Sequence, residues 1–145
     1  MIKDIFSAKI KFPGCGTVCP HQLFVYKREG KYVEFYSITS MSDRERYWAG
    51  EPHIFVIMGA DKDDNGFKQN CYVRFDRAFK VKLSGRVDID KINTRYISPQ
   101  LRQSIMKEIE DYRSKYSFVT QEIPTGYFLK LNKGYIKREE IERKE

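Results

Sequence analysis

Apolar positions along this chain fall first into short alternating runs and only later into helical spacing. Residues 5–12 (IFSAKIKF) alternate loosely and predict a first strand. Pro and Gly punctuate residues 13–20 (PGCGTVCP), which read as a loop. HQLFVYK (21–27), the turn REGK (28–31) and YVEFYSITS (32–40) form the clearest hairpin, with flanks rich in Val, Tyr, Phe and Ile and with Gly30 to supply a positive φ. Residues 41–51 (MSDRERYWAGE) are charged and read as a loop that orders on a ligand. HIFVIMGA (53–60) is a nearly continuous apolar run, expected as a buried strand, and DKDDNG (61–66) as a turn. CYVRFD (71–76) and AFKVKL (78–83) add two short strands, and 86–97 reads as a connection.

At Ser98-Pro99 the period changes. Ser caps free amide donors and Pro suits a first helical turn, while Leu101, Ile105, Met106, Ile109 and Tyr112 share one helical face. A helix is therefore expected over about 98–116, with GYFLKL (126–131) as a late strand and 136–145 as a short surface helix or frayed tail. These elements predict a mainly β fold with α (α+β). It is a small coiled or half-open β-barrel of five to six antiparallel strands with a C-terminal amphipathic helix packed on it. The expected layout is a single domain over 1–145: barrel about 5–97, main helix about 98–116 and C-terminal extension about 117–145.

Composition adds a partner class. Lys and Arg number 27 against 20 Asp and Glu, a net charge of +7, and ten Tyr and ten Phe offer flat faces on which bases can stack. A basic surface attracts polyanions, and RNA is the expected partner. The N-terminal segment MIKDIFSAKIKF does not read as a signal peptide, and no run approaches a membrane span. Three cysteines, an odd number, are simplest to explain as reduced thiols, so the expected location is cytoplasmic with no membrane partner.

Cys15, Cys19 and His21 form C-x3-C-x-H, but the remaining donors, His53 and Cys71, lack zinc-motif spacing, and no metal or cofactor is expected. Asp61, Asp63 and Asn65 imitate the start of a calcium loop whose twelfth position, Tyr72, cannot ligate as the required Glu would. No nucleophile elbow, P-loop, dinucleotide fingerprint or H-E-x-x-H occurs. RNA strand cleavage needs none of these, because the nucleophile is the substrate's own 2′-hydroxyl and the protein supplies a base, an acid and donors around one phosphate. His21 begins one arm of the hairpin, and Thr39 and Ser40 end the other, so all three lie at its open end. Ser42, Arg44 and Arg46 follow directly. The candidate catalytic groups are thus His21, Thr39 and Ser40. Lys27, Ser42, Arg44 and Arg46 are candidates for phosphate, and Tyr47 and Trp48 for base stacking. Each has a plainer alternative: a surface histidine, an ordinary strand end, and arginines paired with Asp43, Glu45 or Glu51.

The order H-x-L-F-V-Y, a short turn, a strand ending I-T-S, then N-G-F, Y-V-R-F-D and I-S-P-Q-L before an amphipathic helix resembles the MazF/PemK (Kid-like) endoribonuclease toxins over roughly residues 5–115. SITS (37–40) matches the Thr or Thr-Ser with which these toxins contact the scissile phosphate. The resemblance implies a coiled, often dimeric barrel. It also implies metal-independent RNA cleavage that leaves a 2′,3′-cyclic phosphate and a 5′-hydroxyl. Where many such toxins carry a catalytic Arg in an R-P pair, this chain has His21 after Pro20, so the base is His21, or another basic residue (Arg44, Arg46 or Lys27), or activity is lost. The charged 41–51 loop and the C-terminal extension are more like the RNA-neutralised, type III (ToxN/CptN-like) branch. That branch implies a small pseudoknot RNA antitoxin rather than a protein one, phage defence, and a homodimer or toxin–RNA assembly. Two other functions fit the same sequence: a non-catalytic RNA-binding barrel, and a protein-interaction barrel.

Overall fold

The computed structural model describes residues 2–11, 18–41, 50–57, 59, 66–83 and 85–137, the Cys19 side chain excepted. Eight strands form one curled, half-open sheet. They are β1 (Ile5–Ile10), β2 (Cys19–Glu29), β3 (Tyr32–Ser40), β4 (Ile54–Ile57), β5 (Cys71–Arg74), β6 (Arg77–Lys82), β7 (Thr94–Arg95) and β8 (Val119–Ile123). Its main path runs β4-β5-β3-β2-β1-β7 and is antiparallel throughout. β3 is long enough to hold two partners: Tyr32–Phe35 pair with β6, and Ile38–Ser40 pair with β5. The bend at Phe75–Asp76, held by the Arg74–Asp76 ion pair at 2.6 Å, turns one partner into the other.

The central hairpin is the predicted one with a longer first arm: Cys19 and Pro20, read as loop, and Arg28 and Glu29, read as turn, pair as part of β2, and a tight turn at Gly30, whose φ is 60°, closes it. A bulge between Val25 and Lys27 interrupts its register at Tyr26. Alternation then sends its large side chains to two different cores. Leu23, Val25, Val33 and Phe35 join Phe6, Phe79, Val81, Phe128 and Leu129 on one face. Phe24, Tyr36 and Ile38 join Ile5, Val73, Phe75, Ile105 and Ile109 on the other. We call these the α2 face and the α1 face, after the helices that cover them: α1 (Pro99–Lys115) and α2 (Thr125–Leu131).

α1 is the predicted amphipathic helix, with Ser98 Oγ accepting the Leu101 N–H at 3.2 Å and Ile105, Ile109 and Tyr112 buried. Arg113 ties it to the sheet. Its guanidinium pairs with Glu34, donates to Tyr36 Oη at 2.9 Å, and lies 4.3 Å from the Tyr26 ring and 4.2 Å from the Phe118 ring. Burial pushes the Tyr36 hydroxyl up to about 12, although the hydrogen bond from Arg113 works the other way. Tyr36 therefore stays a neutral phenol at any ordinary pH.

The structure corrects the sequence reading in several further places. GYFLKL (126–131) is helical rather than a late strand: adjacent Phe128 and Leu129 both enter the α2-face core, which a strand would send to opposite faces. Residues 119–123 form a strand that the sequence left unassigned, because VTQEI is mostly exposed and shows no apolar alternation. It lies parallel to β6, from Arg77↔Val119 to Val81↔Ile123, so the sheet is not wholly antiparallel. The connection 86–97 contains the two-residue β7 and a 3₁₀ turn over Ile89–Lys91 capped by Asp88. The HIFVIMGA strand is reduced to β4, with Phe55 and Val56 only half-buried. Met58, Ala60 and residues 61–65 and 138–145 lie outside the described residues.

Beyond β7, the outer edge of β1 is finished by side chains. Asn132, 8% exposed, accepts the Lys9 N–H at 2.7 Å and donates to the Lys9 carbonyl at 2.9 Å, filling the place of a neighbouring strand. Tyr135 Oη donates to the Ser7 carbonyl at 2.6 Å.

Arg113→Met should lower stability by about 2–3 kcal/mol, because it strands the largely buried Glu34 carboxylate and removes the stacking. Urea unfolding should show an earlier midpoint with an unchanged slope, and adding Glu34→Gln should recover part of the loss.

Candidate functional site at the open end of the hairpin

Register decides what the open end brings together. β1 pairs Ala8 with His21, and β2 pairs Gln22 with Ile38. His21 is therefore the next residue on β2 and Thr39 the next on β3, so both side chains point to the α2 face. β3 in turn pairs Thr39 with Tyr72, and Tyr72 with Val56 of β4. Ala8, His21, Thr39, Tyr72 and Val56 thus form one row across five strands, with neighbouring Cβ atoms about 4.5–5.5 Å apart. His21 and Thr39 are half-buried, and Tyr72, beside Thr39, is buried. Burial lowers the His21 pKa below its usual 6.5, so the imidazole is mainly neutral at pH 7.

Ser40, the third predicted group, points the opposite way, to the α1 face. Its Oγ accepts from Gln69 Nε2 at 2.6 Å, and its cross-strand partner is Cys71. The segment carrying Gln69 is clamped in place. The Asn70 carbonyl accepts the Met41 N–H at 2.9 Å, and Asn70 Oδ1 accepts the Gly59 N–H at 2.9 Å. Gly59 has to be glycine, since a Cβ there would stand 2.2 Å from the Gln69 carbonyl carbon.

The same α1-face side holds a group that the sequence reading did not pick out. Arg95 donates to Gln22 Oε1, and its guanidinium carbon lies 4.6 Å from the Phe67 ring centroid. Gln22, Gly66, Ser7 and Asn93 join it around an open polar cleft of about 310 Å³. Burial lowers the Arg95 pKa, and the nearby Cys71 thiol works against that shift. Burial raises the Cys71 pKa, and Arg95 opposes it, which places the two groups within electrostatic reach. Arg95 was obscure in the sequence because a two-residue strand carries no periodicity. Tyr72 was read simply as a strand residue, and only the β3–β5 register puts it beside Thr39.

The other predicted residues are dispersed. Lys27 is exposed near the closed end of the hairpin, paired with Glu29 at 3.2 Å and about 20 Å along the strand from His21. Ser42, Arg44, Arg46, Tyr47 and Trp48 lie outside the described residues, as does Cys15. Among the described residues no group of His, Cys, Asp and Glu is arranged to hold a metal ion, and Cys71 Sγ donates to the Gln69 carbonyl at 3.2 Å. No helix among them is long and apolar enough to cross a membrane. The open end therefore presents two chemistries on opposite faces: an imidazole–hydroxyl pair on one, and the Ser40 hydroxyl and, separately, the desolvated Arg95 guanidinium on the other. Compared with known proteins, the chain matches no family model, no curated protein and no solved structure.

Proposed function

We propose that the protein is an endoribonuclease toxin of a bacterial toxin–antitoxin system, acting in the cytoplasm by 2′-hydroxyl attack. The observation that carries this reading is the cross-strand neighbourhood of His21 and Thr39, with the imidazole kept neutral by burial. A neutral imidazole accepts the proton of a substrate 2′-hydroxyl. The 2′ oxygen then bonds to phosphorus, and the bond from phosphorus to the 5′ oxygen breaks. The 5′ oxygen leaves with a proton from water. The products are a 2′,3′-cyclic phosphate and a 5′-hydroxyl. The Thr39 hydroxyl donates to a non-bridging oxygen as charge builds on it. The step needs no metal. The net charge of +7 suits both an RNA substrate and a small pseudoknot RNA antitoxin, which we favour over a protein antitoxin.

Purified protein in EDTA should cut mixed cellular RNA into fragments with cyclic phosphate ends. His21→Ala should slow cleavage about 10²–10⁴-fold and Thr39→Ala about 10–100-fold, while Ser40→Ala and Arg95→Gln should retain most activity. The opposite pattern would move the chemistry to the α1 face. Intact RNA that still shifts on a gel would favour a non-catalytic RNA-binding module, and neither cleavage nor binding would favour a protein-interaction barrel.

The pH profile is a separate check. Because the His21 pKa is lowered, the acid limb of kcat/KM should fall below about pH 6.5, with activity level above it. An acid limb centred above pH 7 would rule out His21 as the base.

A further inference from the structure

The 3₁₀ turn that follows α2 spans Lys133–Tyr135, and it brings three lysines together from separate elements. Lys9 of β1, Lys130 of α2 and Lys133 of the turn line one open cleft of about 500 Å³, with Gly134 and Tyr135. The arrangement is braced from beneath. The Asn132 side chain, itself bonded to the Phe128 carbonyl at 2.8 Å, is locked to both backbone groups of Lys9, and Tyr135 is locked to Ser7. None of the three ammonium groups has a carboxylate within ion-pair distance among the described residues. Convergent like charges without counter-charges raise the free energy of the unliganded protein, and a polyanion relieves that cost. An adjoining cleft continues the strip through Lys11, Gln121 and Tyr127, a residue 40% exposed, with Glu122 as its one carboxylate. Cations in a row beside an exposed aromatic are the elements that hold the backbone and stack the bases of a single strand. Lys9 pairs with Pro20, and alternation turns its side chain to the face of the sheet opposite Ala8 and His21.

We propose that Lys9, Lys130 and Lys133 form a phosphate cradle that binds single-stranded RNA. RNA binding by the cradle stands apart from the ribonuclease reading. The test is fluorescence anisotropy with a labelled 12-nucleotide single-stranded RNA, on wild type, Lys130→Glu/Lys133→Glu, and a control of equal charge change on α1, Lys107→Glu/Lys115→Glu. All four side chains are exposed, and unchanged urea midpoints will establish that each variant is folded. The cradle variant should lose at least tenfold in affinity, and its log K against log salt slope should shrink by about 1.4, the value for two single-strand phosphate contacts. The α1 variant should lose less than threefold. Amide NMR shifts on adding the same RNA should fall on residues 130–135.

Equal loss in both variants, no loss in the cradle variant, no binding by wild type, or shifts confined elsewhere would each overturn the cradle. Wild type that binds without cutting, with binding lost in the cradle variant, would keep the cradle and remove the nuclease. Wild type that cuts, with a cradle variant that binds as well as wild type, would do the reverse.

Discussion

The β2–β3 hairpin is apolar on both sides, and the rest of the fold answers that fact. Leu23, Val25 and Phe35 face one way, Phe24, Tyr36 and Ile38 the other, and each is under 5% exposed. Every such side chain left in water would cost about 1.5–3 kcal/mol, so a cover on one face alone could not hold the hairpin. α1 covers one side. The other is closed by β1 and β6 curling over it, with α2 laid across the opening through Phe128 and Leu129. The half-open barrel is the shape a two-faced ribbon takes when one cover is a helix and the other is largely its own sheet.

This constraint explains which parts of the structure were legible in the sequence. The hairpin, β1, β5, β6 and α1 announce themselves through β-branched and aromatic runs, Gly30, and the Ser98-Pro99 start. What escaped was the second cover. LFVY (23–26) is continuous rather than alternating, the mark of a strand buried on both faces, and it requires a partner beyond the single helix expected. The segment that supplies it is poor in signal. β8 is an exposed strand next to β6, and α2 is seven residues with only Phe128 and Leu129 buried. Their identities follow from what they pack on, not from their own periodicity.

The candidate site shows the same division between local and non-local information. That His21 and Thr39-Ser40 meet at one end of a hairpin can be argued from the turn alone. Which of them share a face depends on parity counted through the β3 register, and that count separates Ser40 from His21 and Thr39. Parity also brings Arg95 from 55 residues beyond Ser40 to the Ser40 side, through a strand of two residues. A phosphate engaged by the His21–Thr39 row would meet a neutral base and a hydroxyl donor. One on the other face would meet a guanidinium that burial has made more costly to charge. The two settings favour different steps: proton abstraction needs the first, and charge neutralisation the second.

Closure of the β1 edge joins the fold to its charge pattern. An unpaired strand edge invites another chain to add to it, and here Asn132 and Tyr135 occupy that edge with side chains instead of a ladder. A strand in that place would have run its own alternating side chains along β1. Side-chain closure brings in the end of a helix and a tight turn, and these elements project Lys130 and Lys133 beside Lys9. The polar bonds that protect the edge therefore also fix the spacing of the positive charges. Loosening Asn132 would expose the Lys9 backbone groups and scatter the lysines together, so edge protection and charge convergence have a single structural origin.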